Sequence, residues 1–250
     1  MDGGSTDETA RLVAQSESTR LFVVPGLGQA ASVNRGVEEA RGNIIIVVNA
    51  DDVIYPTAVQ TLVNGLAEHP DVAAVYGDAV HIDEHDEIIE SYPTRPFDAA
   101  ALIESCYICQ PAAAVRRAAF ESVGGLDARL HYAMDYDFWI RLSSKHRLQK
   151  IPGLVAGSRM HRANKTLARR ADVYREVIHV LRAHYGYVPY TWAFAYASWL
   201  LDGNDQFFDQ RAPSRAAVLA SLALGLRLNP GRPFHYIHDW YGHRSFGRRS

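Results

Sequence analysis

Two neighbouring carboxylates close the most apolar run in the chain. In "NIIIVVNADD", aliphatic and mostly β-branched residues lead directly into Asp51 and Asp52. Carboxylates set beside a hydrophobic strand are costly unless a positive charge compensates them. A divalent cation on a diphosphate supplies that charge, because Mg²⁺ and Mn²⁺ take one or two protein carboxylates plus substrate phosphates. The same residues also suit an ordinary strand-end turn whose acids cap a helix, and the local sequence leaves both readings open.

A second acidic site lies in "MDYDF". On a helix Asp135 and Asp137 point about 200° apart, so they do not share one task. One can face a cleft as a general base while the other caps the helix or binds a cation. Helix capping alone is the ordinary alternative. His161, in "GSRMHRANKT", follows a strand-like segment and is either a ligand or a surface histidine. The opening "MDGGSTDET" can cradle a phosphate or lie against a nucleotide base, or be a plain strand-to-helix turn. It matches neither GxGxxG nor the P-loop.

Alternating strands and helices must position these groups. Residues 6–15 read as a helix under a Ser/Thr/Asp cap. "RLFVVPG" is a short strand stopped by Pro25 and Gly26. In "GQAASVNRGVEEARG", Ala30, Val33, Val37 and Ala40 recur at helical spacing before Gly42. The run into Asp51 suits a strand buried on both faces of a parallel sheet. Pro56 opens a helix, and "DVAAVYGDAVHID" is a further strand. "EHDEIIESYPTRPFD" is a polar excursion with a short helix to follow at "AAALIES". "QPAAAVRRAAFESVGGLD" reads as strand, helix and Gly-Gly stop, "AMDYDFWIRLSSKH" as a helix, and "LQKIPGLVAGSRMH" as the last strand. This order is that of an open α/β sheet. From about residue 172 the chain reads as helical and is rich in Tyr and Trp.

Composition excludes several classes. Apolar residues at 48% against 22% charged mark a globular chain rather than a disordered one. A formal net charge of −2 over 250 residues argues against nonspecific nucleic-acid binding, although the tail "GHRSFGRRS" is locally basic. The only cysteines, Cys106 and Cys109, supply two thiolates where structural zinc needs four ligands, and they read as small, reduced residues. Few cysteines and no leader-like start fit a cytoplasmic protein. No window reaches the roughly 18 to 20 apolar residues of a membrane span. "VPYTWAFAYASWLLDG" and "SRAAVLASLALGLRLN" come nearest. They read as amphipathic or buried helices, with peripheral contact at the inner membrane surface left open.

Taken in order, "DGGSTDET", "GLGQAASVNRGVEEARGNIIIVVNADDVIYPTAV", "VYGDAVHID", "RRAAFESVGGLD", "DYDFWIRL" and "SRMHRANKT" resemble the family 2 glycosyltransferases of the GT-A fold. That fold is α/β, a Rossmann-like open mixed sheet flanked by helices. The resemblance covers roughly residues 1–170 and leaves 171–250 as a helical C-terminal extension. It implies inverting transfer from a nucleotide-sugar donor, with UDP first and GDP or dTDP open, in cell-envelope or polysaccharide biosynthesis. It also implies a divalent cation, Mg²⁺ or Mn²⁺, and a glycan, lipid-linked or small-molecule acceptor, with no nucleic-acid partner.

By the same resemblance, Asp2 and Gly3 meet the donor base, and Gln29, Asn34 and Arg35 line the nucleotide site. "NADD" matches the DxD-type motif with Asn49 in place of the first acid. Asp51 becomes the metal and diphosphate contact, with Asp52 beside it and His161 completing the metal site. Asp135 falls where the catalytic base sits. Met134 replaces the acid that often helps place the acceptor, so acceptor handling differs. The chain has no QxxRW, the signature of processive synthases, which implies single additions. The family also carries a first strand and helix ahead of the "DGGSTD" loop. Their absence here motivates a second reading, a non-catalytic nucleotide-sugar or glycan-binding remnant. A nucleotidyltransferase shares the architecture but has no place for "DYDFWIRL".

Overall fold

The computed structural model describes residues 1–16, 18–161, 164–203 and 212–246, with side chains up to 243. Residues 247–250 of the basic tail, and the side chain of Arg244, therefore lie outside the described residues. The chain packs as two units. The first holds residues 1–81, 88–97 and 108–159, and the second holds 82–87, 98–107 and 160–250. Two excursions, 82–87 and 98–107, thus pack with residues from 160 onward. Covalent order does not decide which segments pack together.

In the first unit the elements are α1 (Thr9–Ala14), α2 (Gln29–Glu39), β1 (Ile44–Ile45), β2 (Val53–Ile54), α3 (Ala58–Glu68), β3 (Ala74–Ile82), β4 (Ile88–Ser91), β5 (Ala113–Arg116), α4 (Arg117–Ser122), α5 (Met134–Lys145) and β6 (Leu148–Arg159). The sheet order is β1-β5-β3-β6-β2, with β4 alongside β3. β1 and β3 both run antiparallel to β5, and β2 runs antiparallel to β6. A parallel bridge between Asp2 and Val23 makes the pairing mixed.

One expectation is corrected. The aliphatic run at 44–48 is not a strand buried on both faces of a parallel sheet. Only Ile44 and Ile45 pair, Ile45 alone is buried, and Val48 is 40% exposed. β1 stands at one end of the sheet order, where a strand has a neighbour on one side only. Composition can announce an apolar strand, but its neighbours decide what is covered.

The core of this unit is set by α3, whose Ala58, Leu62 and Leu66 repeat every four residues and face the sheet. They pack on Val75, Ala114, Ile151 and Val155. Truncating a fully buried Leu such as Leu62 typically costs about 2–5 kcal/mol. Gly65 brings α3 close to β6, since a Cβ there would lie 2.8 Å from Ile151 Cδ1.

Two consecutive arginines at the β5–α4 junction hold the helix ends in place. Arg116 donates to the carbonyls of Val72 (2.8 Å) and Leu66 (2.7 Å), at the end of α3. Arg117 donates to Val37, Ala40 and Gly42, each at 2.7 Å, at the end of α2. The last carbonyls of a helix lack intrahelical partners, and cationic donors satisfy them.

His81 on β3 is 3% exposed and packs against the Tyr92 ring at 4.9 Å between centroids. Burial pushes its imidazole down to about 4. The group folds neutral, and unfolding lets it take up a proton below its ordinary value of 6.5. Its contribution to stability is therefore complete above pH 6.5 and declines as pH falls toward 4, by up to about 3 kcal/mol. Urea titrations should show this acid slope reduced in His81→Phe. Identical slopes in the two proteins would remove His81 as its cause.

The second unit is mainly helical: α6 (Lys165–Ala168), α7 (Arg170–Tyr185), α8 (Tyr190–Asp202), α9 (Arg215–Leu228) and α10 (Pro233–Phe246), with a 3-10 turn at Ala99–Ile103. Tyr187, Ala193, Tyr236 and Trp240 form its core. The Asp239 carboxylate accepts from Tyr187 Oη and the Tyr190 N–H, both at 2.8 Å. Among the described residues no helix is long and apolar enough to cross a membrane.

Candidate active site

The acids after β1 sit in a hydrogen-bonded clasp. Gln29, the first residue of α2, donates from Nε2 to Asn49 Oδ1 (2.8 Å). Asn49 Nδ2 in turn donates to Asp52 Oδ2 (2.8 Å). The other Asp52 oxygen accepts the backbone N–H of Arg159, at the end of β6 (3.0 Å). Arg159 Nε donates to the Asp51 carbonyl (2.8 Å). The start of α2, the loop after β1 and the end of β6 are thereby tied together.

Burial pushes the Asp52 carboxyl above its ordinary range, against the hydrogen bonds from Arg159 and Asn49. Both Asp52 oxygens already accept hydrogen bonds, which gives this residue a structural task. Asp51 is half-buried on the same loop. One carboxylate beside a diphosphate meets the modest protein-ligand demand of Mg²⁺ or Mn²⁺. Among the described residues no group of three or more His, Cys, Asp and Glu side chains is placed to hold a metal ion.

Asp135 and Asp137 diverge as their spacing requires. Asp137 is buried and forms an ion pair with Arg141 one turn on, where Arg141 Nε donates to Oδ2 at 2.8 Å. Arg141 Nη1 also donates to the Val123 carbonyl (2.6 Å), fastening α5 to the Gly-Gly turn. Asp135 lies in the first turn of α5, where the helix N-terminus favours a charged carboxylate. Its Oδ1 accepts the Tyr136 N–H (2.8 Å). Asp135 lines a small pocket, with room for about one water, whose walls include Ile45, Val47, Phe120 and Leu126. Val47 belongs to the run that ends in Asn49, Asp51 and Asp52, so one segment serves both acidic sites.

Cys109 shows that the two sites converge. Its thiol is fully buried and held well above the ordinary range, by burial first and then by the negative charges of Asp52 and Asp135. The two carboxylates, 83 positions apart in the chain, therefore act on one sulfur.

The other expected residues are placed as follows. Asp2 is buried, and its carboxylate accepts from Ser5 Oγ (2.5 Å) and the Ser5 N–H, bonds that lower its pKa. Gly3 beside it is exposed. Asn34 is engaged with backbone: Nδ2 donates to the Leu126 carbonyl (2.8 Å) and Oδ1 accepts the Leu126 N–H (2.9 Å). Gly125 permits this contact, since its φ is +68° and a Cβ there would lie 2.6 Å from Asn34 Oδ1. Arg35 is exposed along α2 and pairs with Glu38 (3.1 Å) and Glu39. His161 belongs to the second unit, where its carbonyl accepts the Asn164 N–H (2.8 Å).

Three contributors escaped the reading of the sequence: Arg159, Cys109 and Gln110. Arg159 lies within "SRMHRANKT", and Cys109 and Gln110 lead into the short 3-10 turn before β5. Only pairing in space marks the part each takes.

The family model described as "Glycosyl transferase family 2" matches residues 1–124. A "PGL/p-HBAD biosynthesis glycosyltransferase" of Mycobacterium tuberculosis is 32% identical over 157 residues, covering 59% of this chain. The chain spans 58% of that relative's length. The chondroitin synthase of Escherichia coli is 24% identical over 179 residues, covering 70% of this chain and 26% of the relative. Among solved structures, S. aureus TarS 1-349 in complex with UDP-GlcNAc superposes with a TM-score of 0.57 at 14% identity, over 80% of this chain and 61% of that one. Mannosyltransferase PcManGT from Pyrobaculum calidifontis, in complex with GDP-Man and Mn²⁺, gives 0.52 at 18% identity, over 92% and 62%. At such identities the structural likeness speaks for the GT-A fold alone.

Proposed function

We propose, from the premise that the chain is a member of glycosyl transferase family 2, that it moves a sugar from a nucleoside-diphosphate donor to an acceptor hydroxyl with inversion. The observation that supports this reading is that the run from Ile45 and Val47, which line the pocket with Asp135, leads into the loop of Asp51 and Asp52 tied to α2 and β6. It supports Asp135 as the base and Asp51 as the donor-side acid of one site. The neighbours solved with UDP-GlcNAc and with GDP-Man and Mn²⁺ support a nucleotide-sugar donor.

In this mechanism Asp135 takes the proton from the acceptor hydroxyl as its oxygen attacks the anomeric carbon. A carbon–oxygen bond forms on the face opposite the donor phosphate while the bond to the phosphate oxygen breaks. The electron pair leaves with the nucleoside diphosphate, and the anomeric configuration inverts. A divalent cation supplies Lewis-acid neutralisation of the leaving diphosphate. Asp51 is the residue that would hold it, with Asp52 fixing the loop. Asp2, Gly3, Gln29, Asn34 and Arg35 form the proposed donor side. Of these, Gln29 acts through Asn49, and Asn34 shapes the 125–126 turn.

The test is a donor panel of UDP-, GDP- and dTDP-sugars with Mn²⁺, read by released nucleotide with and without a mixture of acceptors. Acceptor-stimulated release from one donor is expected. UDP or GDP binding by calorimetry without turnover of any donor would instead establish the non-catalytic binding reading.

A further inference from the structure

The last helices of the second unit turn large apolar side chains outward. On α10, Phe234, Ile237 and Tyr241 are 84%, 43% and 69% exposed. Their spacing of three and four residues places them on one face of the helix. A different side of α10 makes the core, where Tyr236 and Trp240 are buried and Tyr236 Oη donates to the Ser221 carbonyl (2.8 Å). The outward row is therefore not spent on folding this unit. On α9, Arg215, Leu219, Ala223 and Arg227 recur every four residues and all are exposed. Single exposed apolar side chains are ordinary, whereas a contiguous row marks an interaction surface.

Charge sorts with these helices. From 214 to 250 the sequence holds six Arg, one Asp and no Lys or Glu, in a chain whose net charge is −2. Arg215, Arg227 and Arg232 are exposed. The single acid is turned inward, since the Asp239 carboxylate accepts from Tyr187 and Tyr190 and its side chain is 13% exposed. The outer charge of the segment is thus positive beside an apolar row.

We infer that the outer face of α10 docks on an anionic lipid surface. Phe234, Ile237 and Tyr241 enter the boundary between head groups and acyl chains, and the arginines of this segment meet the lipid phosphates. The combination selects this occupant. A second copy using the same face would set its arginines against these, since a two-fold contact pairs a patch with itself. A nucleic acid would satisfy the arginines and stack on Phe234 and Tyr241, but it offers nothing to the aliphatic Ile237 and Leu219. A lipid surface accepts aromatic, aliphatic and cationic groups together.

The inference holds whether or not the chain transfers sugar, and its test uses no turnover. The full chain would be co-sedimented with vesicles of phosphatidylcholine alone and of an equal mixture of phosphatidylcholine and phosphatidylglycerol. It should bind the mixed vesicles, bind the neutral ones far less, and be released as salt screens the phosphates. Replacing the row together, Phe234→Ser with Ile237→Ser and Tyr241→Ser, should lower partitioning into mixed vesicles by at least about tenfold. The melting temperature should hold, because these side chains lie outside the core. Arg227→Glu with Arg232→Glu should weaken binding in the same direction and flatten its salt dependence. Wild-type partitioning by the folded triple variant would overturn the inference. So would equal binding to both vesicle types, or no binding of the wild type to the mixed ones. Self-association or oligonucleotide binding that the triple variant abolishes, in a protein that ignores vesicles, would overturn it in favour of a second copy or a nucleic acid.

Discussion

Asp135→Asn should lose sugar transfer while still binding the donor. The substitution keeps the size of the side chain and an oxygen that can accept the Tyr136 N–H, so the first turn of α5 is preserved. What disappears is proton affinity. A neutral amide cannot take the proton of the acceptor hydroxyl, and positioned general bases contribute roughly 10²–10⁴-fold to rate. The loss should fall on kcat, with nucleotide affinity by calorimetry within about twofold of wild type, since the donor contacts are left in place. Asp137→Asn is the informative comparison. Asp137 is engaged with Arg141 at 2.8 Å and 2.6 Å, and Arg141 also holds the Val123 carbonyl. Its loss should lower the melting temperature more than the rate of the folded enzyme. Undiminished transfer by Asp135→Asn would remove this residue as the base.

Asp51→Ala should uncouple nucleotide binding from the cation. Wild-type UDP or GDP should bind more tightly with Mn²⁺ present, and chelation should abolish turnover. In the variant, Mn²⁺ should no longer improve nucleotide affinity, and kcat/KM should fall on the order of 100-fold or more, as the leaving diphosphate loses its counter-charge. The loop itself should survive, because its anchors do not need the Asp51 side chain. Arg159 Nε reaches the Asp51 carbonyl, and the Asn49 and Arg159 backbone contacts end on Asp52. Thermal melting near the wild-type value would separate this loss from misfolding. Turnover in wild type that is indifferent to chelator would overturn the metal role of Asp51.

The acids themselves were legible without coordinates. Asp51 and Asp52 stand out because charge follows directly on an apolar run, and Asp135 and Asp137 because a two-residue spacing on a helix forces them apart. The structure answers that second point concretely, with Asp137 in an ion pair and Asp135 lining the pocket. The ordered succession of motifs likewise carried the family resemblance and the α/β architecture, since each local pattern records a strand end, a helix start or a turn.

Other features depended on partners far away in the chain. Whether the 44–48 run is buried was set by the end position of β1, not by its aliphatic side chains. Asp52 looks like a ligand in the sequence, yet Asn49 and Arg159 engage both of its oxygens. Asn34 serves the backbone of Leu126, 92 residues on, through a turn that only a left-handed Gly125 allows. Gln110 and Trp139 come from two separate segments, and the burial of their N–H groups is set by everything that surrounds them. Residue type and spacing are written along the chain, and they determined which groups could do chemistry. Burial and hydrogen-bond satisfaction belong to the whole fold, and only the tertiary structure could decide which groups are engaged by the protein and which line the pocket beside Asp135.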